Sequence, residues 1–340
     1  MGGKALNKYG VFTERKGTDE FLRIGQELKD RIYWDFDGKH QPIFAEVVTC
    51  YRNKADHGDL DLLIHVGEGT QIDWYKYIKN AFKPQAINSN GGVYSFDYQG
   101  FQVDIHPIPA KKWSTAIVYF GNDPAGNCMG KTYHKFGLSY GWEGLFYKYR
   151  NAHGTNSANI LLTNDVKKIF DFGGYDYDRY LNGFDTLEEI FKFVIDGKYF
   201  DTEMFQMENL KSIDKKRNRK RGSYHLFLNY LKDNRITTRY SFAENKKWYV
   251  DTINLCFPEA NLLDELNVLQ EKDRIQSMIA QKFNGDIVLS WLSKLQGKEL
   301  GKAMGMFKNS LGDDYDDFIL RSTYAQIHNE FMRVYNQENN

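Results

Sequence analysis

Thr49-Cys50-Tyr51-Arg52-Asn53-Lys54-Ala55-Asp56-His57-Gly58-Asp59-Leu60-Asp61-Leu62-Leu63-Ile64 runs from a polar loop into an apolar strand. Residues two apart on a strand share a face, so Asp59 and Asp61 project together while Leu60 and Leu62 enter the core. Two carboxylates opening a buried strand repel each other, and that arrangement is costly without a cation between them. A second block, Phe101-Gln102-Val103-Asp104-Ile105-His106, puts Val103 and Ile105 on one face of a strand and Asp104 on the other. If the two strands pair side by side, three acids meet.

Oxygen donors of this kind suit Mg²⁺ or Mn²⁺ better than zinc. Asp59, Asp61 and Asp104 are therefore the expected catalytic and metal-binding residues, holding two divalent ions. Ions so held stabilise the attacking and leaving oxygens of an in-line displacement at phosphorus.

Around these blocks the composition is that of a folded protein. The chain has 340 residues, enough for about two domains, and 41% of them are apolar. Its 45 Lys and Arg balance 45 Asp and Glu, so affinity for a polyanion has to come from local clustering. Aromatic residues make up 16%, which suits stacking surfaces and a packed core alike. Cys50, Cys128 and Cys256 lie far apart, which excludes a zinc ribbon or disulfide framework and fits a reducing compartment. With no leader pattern at Met1 to Gly10 and no long apolar run, the expectation is a cytoplasmic protein with no membrane association.

The spacing of Phe21, Leu22, Ile24, Leu28 and Ile32 after Thr18 predicts a helix. Strands are expected at Phe44–Val48 and Leu60–Ile64, and a hairpin over Val93–Ile105 turning at Gln99-Gly100; a second helix is expected at Ile72–Phe82. That is an α+β unit with a mixed sheet and flanking helices. In the rest of the chain the apolar residues fall at helical spacing in Ile117–Phe120, Val166–Phe170, Leu187–Ile195, Tyr224–Leu231 and Leu262–Ile279. Glycines at Gly173-Gly174 suggest a boundary near residue 180, dividing the chain into 1–180 and a helical 181–340.

Thr49 to Ile64 resembles the Gly-Ser and Asp-x-Asp signature of the polymerase β-like nucleotidyltransferases, and the stretch from Asp104 to Lys131 is most similar to family X DNA polymerases. In that family the third acid is followed by a proline, a helix carrying a Tyr-Phe pair, then an Asn and a basic residue. Here the run is Asp104-Ile105-His106-Pro107, Tyr119-Phe120-Gly121-Asn122, Asn127 and Lys131. The resemblance spans roughly residues 20 to 175. It implies a palm with a helical thumb, and a reaction that adds dNMP from a dNTP to a DNA 3′-hydroxyl with release of pyrophosphate. Asp104 then accepts the primer hydroxyl's proton. Thr49, Arg52 and Gly58 are implied at the triphosphate, Tyr119 and Phe120 at the nucleotide sugar, Asn127 at the base edge and Lys131 at the template minor groove. The sequence departs from the family at Val48, where glycine is usual, and at Gln102, His106 and Lys131, where arginines are.

Lys215-Lys216-Arg217-Asn218-Arg219-Lys220-Arg221 carries six positive charges in seven residues. Given a polymerase-like palm, the run is expected to bind nucleic-acid phosphates, and the resemblance at Tyr119-Phe120 implies DNA in preference to RNA. Arg235, Arg239, Lys246 and Lys247 extend the candidate surface. Gly285, Gly297 and Gly301 are weighed as a phosphate-binding helix-hairpin-helix turn and expected to be plain helix caps. His57, His65, His134 and His153 lack ligand spacing and are expected to be surface or hydrogen-bonded histidines. The rival functions are a terminal RNA nucleotidyltransferase of the CCA-adding or tailing type, an inactive nucleic-acid-binding module, and a small-molecule nucleotidyltransferase. The opening Met-Gly-Gly-Lys-Ala is similar to phage-encoded chains, for which the compartment is the host cytoplasm.

Overall fold

A computed structural model of the chain describes residues 3–37, 43–151 and 154–339; His153 lies outside them. A short strand β1 (Lys16–Gly17) leads into helix α1 (Thr18–Phe36). The apolar stripe expected of α1 is present, with Phe21, Ile24, Leu28 and Ile32 buried, but Leu22 sits off that stripe and is 59% exposed. Next come β2 (Phe44–Val47), β3 (Asp56–His57), β4 (Leu60–Val66), α2 (Trp74–Ala81), β5 (Ile87–Asn90), β6 (Val93–Tyr98) and β7 (Phe101–Pro109).

Five of these strands form a mixed sheet in the order β2-β4-β7-β6-β5. Only β4 and β7 run parallel, and their register sets Asp61 directly beside Asp104. The β6–β7 hairpin turns at Gln99-Gly100, where both residues have positive φ (52° and 72°), the twist a two-residue hairpin loop favours. Strand β5 goes beyond the sequence expectation, because Ile87-Asn88-Ser89-Asn90 has no apolar alternation; pairing with β6 alone defines it.

One face of the sheet packs Leu60, Leu62, Ile64, Phe96, Val103 and Ile105 against α1 and Trp74 and Ile78 of α2. On the other, Leu63 and Ile108 meet Ala116 of helix α3 (Trp113–Phe120). Strands buried on both faces read as near-continuous apolar runs, which is why Leu62-Leu63-Ile64 loses its alternation.

Helix α4 (Ala125–Lys135) precedes strands β8 (Leu138–Gly141), β9 (Gly144–Arg150) and β10 (Asn156–Thr163), a second sheet in the order β10-β9-β8. The sequence reading places no strand in this region, but Leu138, Tyr140, Leu145 and Tyr149 are buried at strand spacing. There follow α5 (Val166–Gly173), α6 (Tyr177–Leu181), α7 (Leu187–Asp196), α8 (Ser212–Asn218), α9 (Gly222–Asp233) and α10 (Val250–Cys256). The aromatic residues of this region form its interior: Phe170 meets Tyr175, Tyr177, Tyr180 and Phe193, and Phe227 meets Phe191 and Phe205.

Contacts divide the chain into one unit of residues 1–148 and 158–261 and another of 149–157 and 262–340. The division expected near 180 is not where they separate. Helix α7 packs on α4 and α9, and the Tyr180 hydroxyl donates to the Val118 carbonyl (2.6 Å), so 181–261 belongs with the sheet.

The second unit is helical: α11 (Leu262–Lys282), α12 (Gly285–Trp291), α13 (Lys298–Leu311), α14 (Tyr315–Arg321) and α15 (Tyr324–Asn339). Phe283, Phe307, Ile319, Ile327 and Phe331 form its core. Gly285 opens α12 beneath an Asn284 side-chain cap, and Gly297 immediately precedes α13, in keeping with caps. Among the described residues no helix is long and apolar enough to cross a membrane.

Candidate functional site

The N-terminal end of β4 opens into a cleft of about 340 Å³, lined among others by Thr49, Lys54, His57, Asp59, Asp61, Phe120 and Ser223. Its acid wall follows from strand geometry. Val48 N–H donates to the Asp61 carbonyl (3.0 Å), extending the β2–β4 ladder and bringing Thr49 to the cleft. Leu60 and Leu62 are fully buried, which turns the Asp61 side chain to the opposite face.

Each acid has its own protein partner. Asp59 Oδ2 accepts the Gly3 N–H (3.2 Å). Asp61 Oδ1 accepts from His106 Nε2 (2.9 Å), and both oxygens of Asp104 accept from Gln102 Nε2 (2.9 and 3.1 Å). Thus Gln102 and His106, the departures from the family pattern, hold the carboxylates.

The three carboxyls nevertheless feel one another. Burial, then the charges of Asp61 and Asp59, push Asp104 up to about 7. Asp59 is raised by burial and by Asp61, against the pull of the Gly3 N–H and the Lys54 ammonium. Among the described residues no three His, Cys, Asp or Glu side chains stand gathered as a formed metal cage. In kind, the donors are hard carboxylate oxygens whose repulsion a divalent cation relieves.

The other expected residues divide. Thr49 and Phe120 line the cleft, and the Phe120 ring lies 4.9 Å from that of His106. Tyr119 turns instead to Tyr140 of β8 (5.2 Å). Gly58 is covered by Gly3, where a Cβ would come within 2.2 Å of the Gly58 carbonyl oxygen.

Arg52 does not reach the cleft. Its guanidinium pairs with Asp185 (2.9 Å) and donates to the Asn182 carbonyl (3.0 and 3.3 Å), so it ties the loop between α6 and α7. Asn127 and Lys131, four apart on one face of α4, point at α8 and α9. Asn127 Nδ2 donates to Asn218 Oδ1 (3.0 Å), and the Lys131 ammonium lies 5.0 Å from the Tyr224 ring centre. Lys131 is only 6% exposed, and burial lowers its ammonium. Base-edge and minor-groove contacts are therefore not open to these two side chains as they stand.

The basic run spans the end of α8 and the turn into α9. Asn218 is its buried anchor, while Lys216, Arg217, Arg219 and Lys220 make no ion pair among the described residues. Lys215 donates to the Glu208 carbonyl (2.8 Å), and Arg221 faces Asp123 (3.5 Å). The next residues, Gly222 and Ser223, line the cleft with Asp59 and Asp61. Distant in sequence, the end of the run at Arg221 meets Asp123, which lines the same cleft as Asp59 and Asp61.

Two cleft residues carry no signal in the sequence. His57, expected at the surface or hydrogen-bonded, is buried, stacked on Phe21 (3.7 Å between ring centres), and its Nε2 has no partner. Burial, then the nearby Lys54 charge, lowers it to about 4, so the ring is neutral at pH 7. Lys54 is the second.

No family model matches the chain, and no curated protein matches it. Among solved structures it is similar to the polymerase beta of Leishmania infantum in a ternary P/T complex, with a TM-score of 0.37 and 16% identity over 50% of this chain and 76% of that one. A likeness of that size carries no argument about the site, whose reading rests on the geometry above.

Proposed function

We propose that the chain is a metal-dependent nucleotidyltransferase. Its reaction is the addition of dNMP from a dNTP to a DNA 3′-hydroxyl with release of pyrophosphate, on a palm formed by the five-stranded sheet with helical elements as the thumb. The observation that carries this reading is the parallel β4–β7 register, which sets Asp61 beside Asp104, with Asp59 close enough for its charge to raise Asp104.

Asp59, Asp61 and Asp104 would hold two Mg²⁺ or Mn²⁺ ions, which supply the charge that activates the attacking hydroxyl and neutralises the leaving pyrophosphate. The chain's own groups do the rest. Asp104 takes the primer hydroxyl's proton on a carboxylate oxygen, as a positioned general base. His106 fixes the Asp61 carboxylate by its hydrogen bond to Oδ1. Phe120 presents an apolar face to the nucleotide sugar, and the Thr49 hydroxyl is available to a phosphate oxygen. Lys216, Arg217, Arg219 and Lys220 meet the nucleic-acid backbone, where unpaired cations give sequence-independent affinity.

Extension of labelled DNA and RNA primers, with and without template, using dNTP and NTP sets, tests the proposal. Mg²⁺-dependent DNA extension is expected. Extension of RNA alone selects the terminal RNA nucleotidyltransferase, and no transfer to either removes the reading.

A further inference from the structure

Two cations lie two residues apart in the loop before the acids, and the fold uses them oppositely. Arg52 is engaged by the loop between α6 and α7, through the Asp185 carboxylate and the Asn182 carbonyl. Lys54 lines the cleft with Thr49, Asp59 and Asp61. We infer that Lys54, and not Arg52, meets the phosphates of a nucleoside triphosphate in this cleft, an inference that rests on the nucleotidyl-transfer reading.

The backbone of Lys54 is held while its ammonium is not. Its carbonyl accepts from Thr18 Oγ1 at the start of α1, and its N–H donates to the Tyr51 carbonyl (3.3 Å). The ammonium makes no hydrogen bond or ion pair among the described residues, although Asp56, Asp59 and Asp61 line the same cleft. It is close enough to act on Asp59 and Asp56: its charge opposes the rise of Asp59 and helps lower Asp56.

The other basic side chain lining the cleft, Arg15, is already engaged by Asp56 through two hydrogen bonds (2.7 and 2.8 Å). Among the described residues lining the cleft, Lys54 is thus the cation that a polyphosphate can engage without breaking an existing pair. A compact ammonium on a flexible stem serves phosphate as a point charge, where a guanidinium would grip it bidentately.

The test is equilibrium binding of Mg²⁺–dATP and of deoxyadenosine to the full chain by calorimetry, without primer, beside primer-extension KM values and thermal melts. Lys54→Gln should weaken dATP binding about tenfold, the worth of one charge-assisted contact. Deoxyadenosine binding and the melting temperature should not move, Lys54→Arg should restore most of the affinity, and Arg52→Gln should stay within about threefold of the parent.

A parent that extends primers while Lys54→Gln keeps its dATP affinity and KM overturns the inference and leaves the transfer reading standing. A parent that binds dATP through Lys54 yet extends no primer preserves the phosphate site and overturns transfer. A loss of deoxyadenosine binding equal to that of dATP assigns Lys54 to general cleft structure and overturns its role at phosphate.

Discussion

Asp59 and Asp104 are largely buried and raised by burial and by the Asp61 charge, whereas Lys216, Arg217, Arg219 and Lys220 are exposed and make no ion pair among the described residues. Like charges in solvent cost little because water screens them, so the basic ridge is compatible with any function or none. Like charges forced together beneath the surface oppose folding, and groups perturbed in this way cluster at functional sites. The acid wall therefore says more about chemistry than the ridge, although the ridge holds more charge.

The sharpest way to break that contrast is at Asp61. Asp61→Asn should lower nucleotide transfer by roughly hundredfold or more, in the range of losing one group that stabilises the transition state, with melting within a few degrees of the parent. Retained Mg²⁺-dependent incorporation would reduce the acid wall to an ordinary polar surface.

Asp104 tests the energetic half of the contrast. Its folded value of about 7 lies above the ordinary 3.8, so between those limits the folded chain binds a proton that the unfolded chain has released. Stability should accordingly fall as pH rises through that window and level off above it. Asp104→Asn should flatten the slope and be more stable at pH 8 by about 1 to 3 kcal/mol, while losing transfer. Denaturant midpoints at pH 5 and pH 8 measure both, and an unchanged slope would show that the carboxyls do not burden one another.

The ridge should respond in affinity alone. Replacing Lys216, Arg217, Arg219 and Lys220 by Gln should lower the slope of log affinity against log salt by about 0.9 per lost duplex phosphate contact, or about 0.7 on single strands. The rate at saturating primer should hold. Wild-type affinity with an unchanged slope would return the run to a solvated helix end.

The smallest effect is expected at Arg52. Because its exposed guanidinium ties a loop, Arg52→Ala should cost about 1 kcal/mol of stability or less and leave the dNTP KM within about threefold. A tenfold KM increase would bring Arg52 back to the triphosphate.

Much of this is readable without the fold, for identifiable reasons. The acids, α1 and the Gln99-Gly100 turn are local patterns, each written by side-chain period or turn chemistry within a short stretch. Strand β5 is polar and owes its existence to β6, so nothing in its own residues marks it. Asn127 and Lys131 share a helix face at i, i+4 spacing, but spacing cannot say that this face meets Asn218 and Tyr224 instead of the cleft. Arg52 and Lys54 differ only in which neighbour each reaches, and Asp185 is 133 residues further along the chain from Arg52. The covering of Asp59 by Gly3 is equally non-local.

The parallel pairing of β4 with β7 also sets an order of assembly. The β6–β7 hairpin closes over two residues, whereas joining β4 to β7 must close a loop containing α2, β5 and β6, a slower event because more chain entropy is lost before any contact forms. A refolding chain should therefore acquire the hairpin first and bring Asp61 beside Asp104 only at that closure. In pulsed hydrogen exchange, β6 amides should gain protection ahead of those of β4, with transfer activity recovering alongside β4; activity returning with the hairpin would refute that sequence of events.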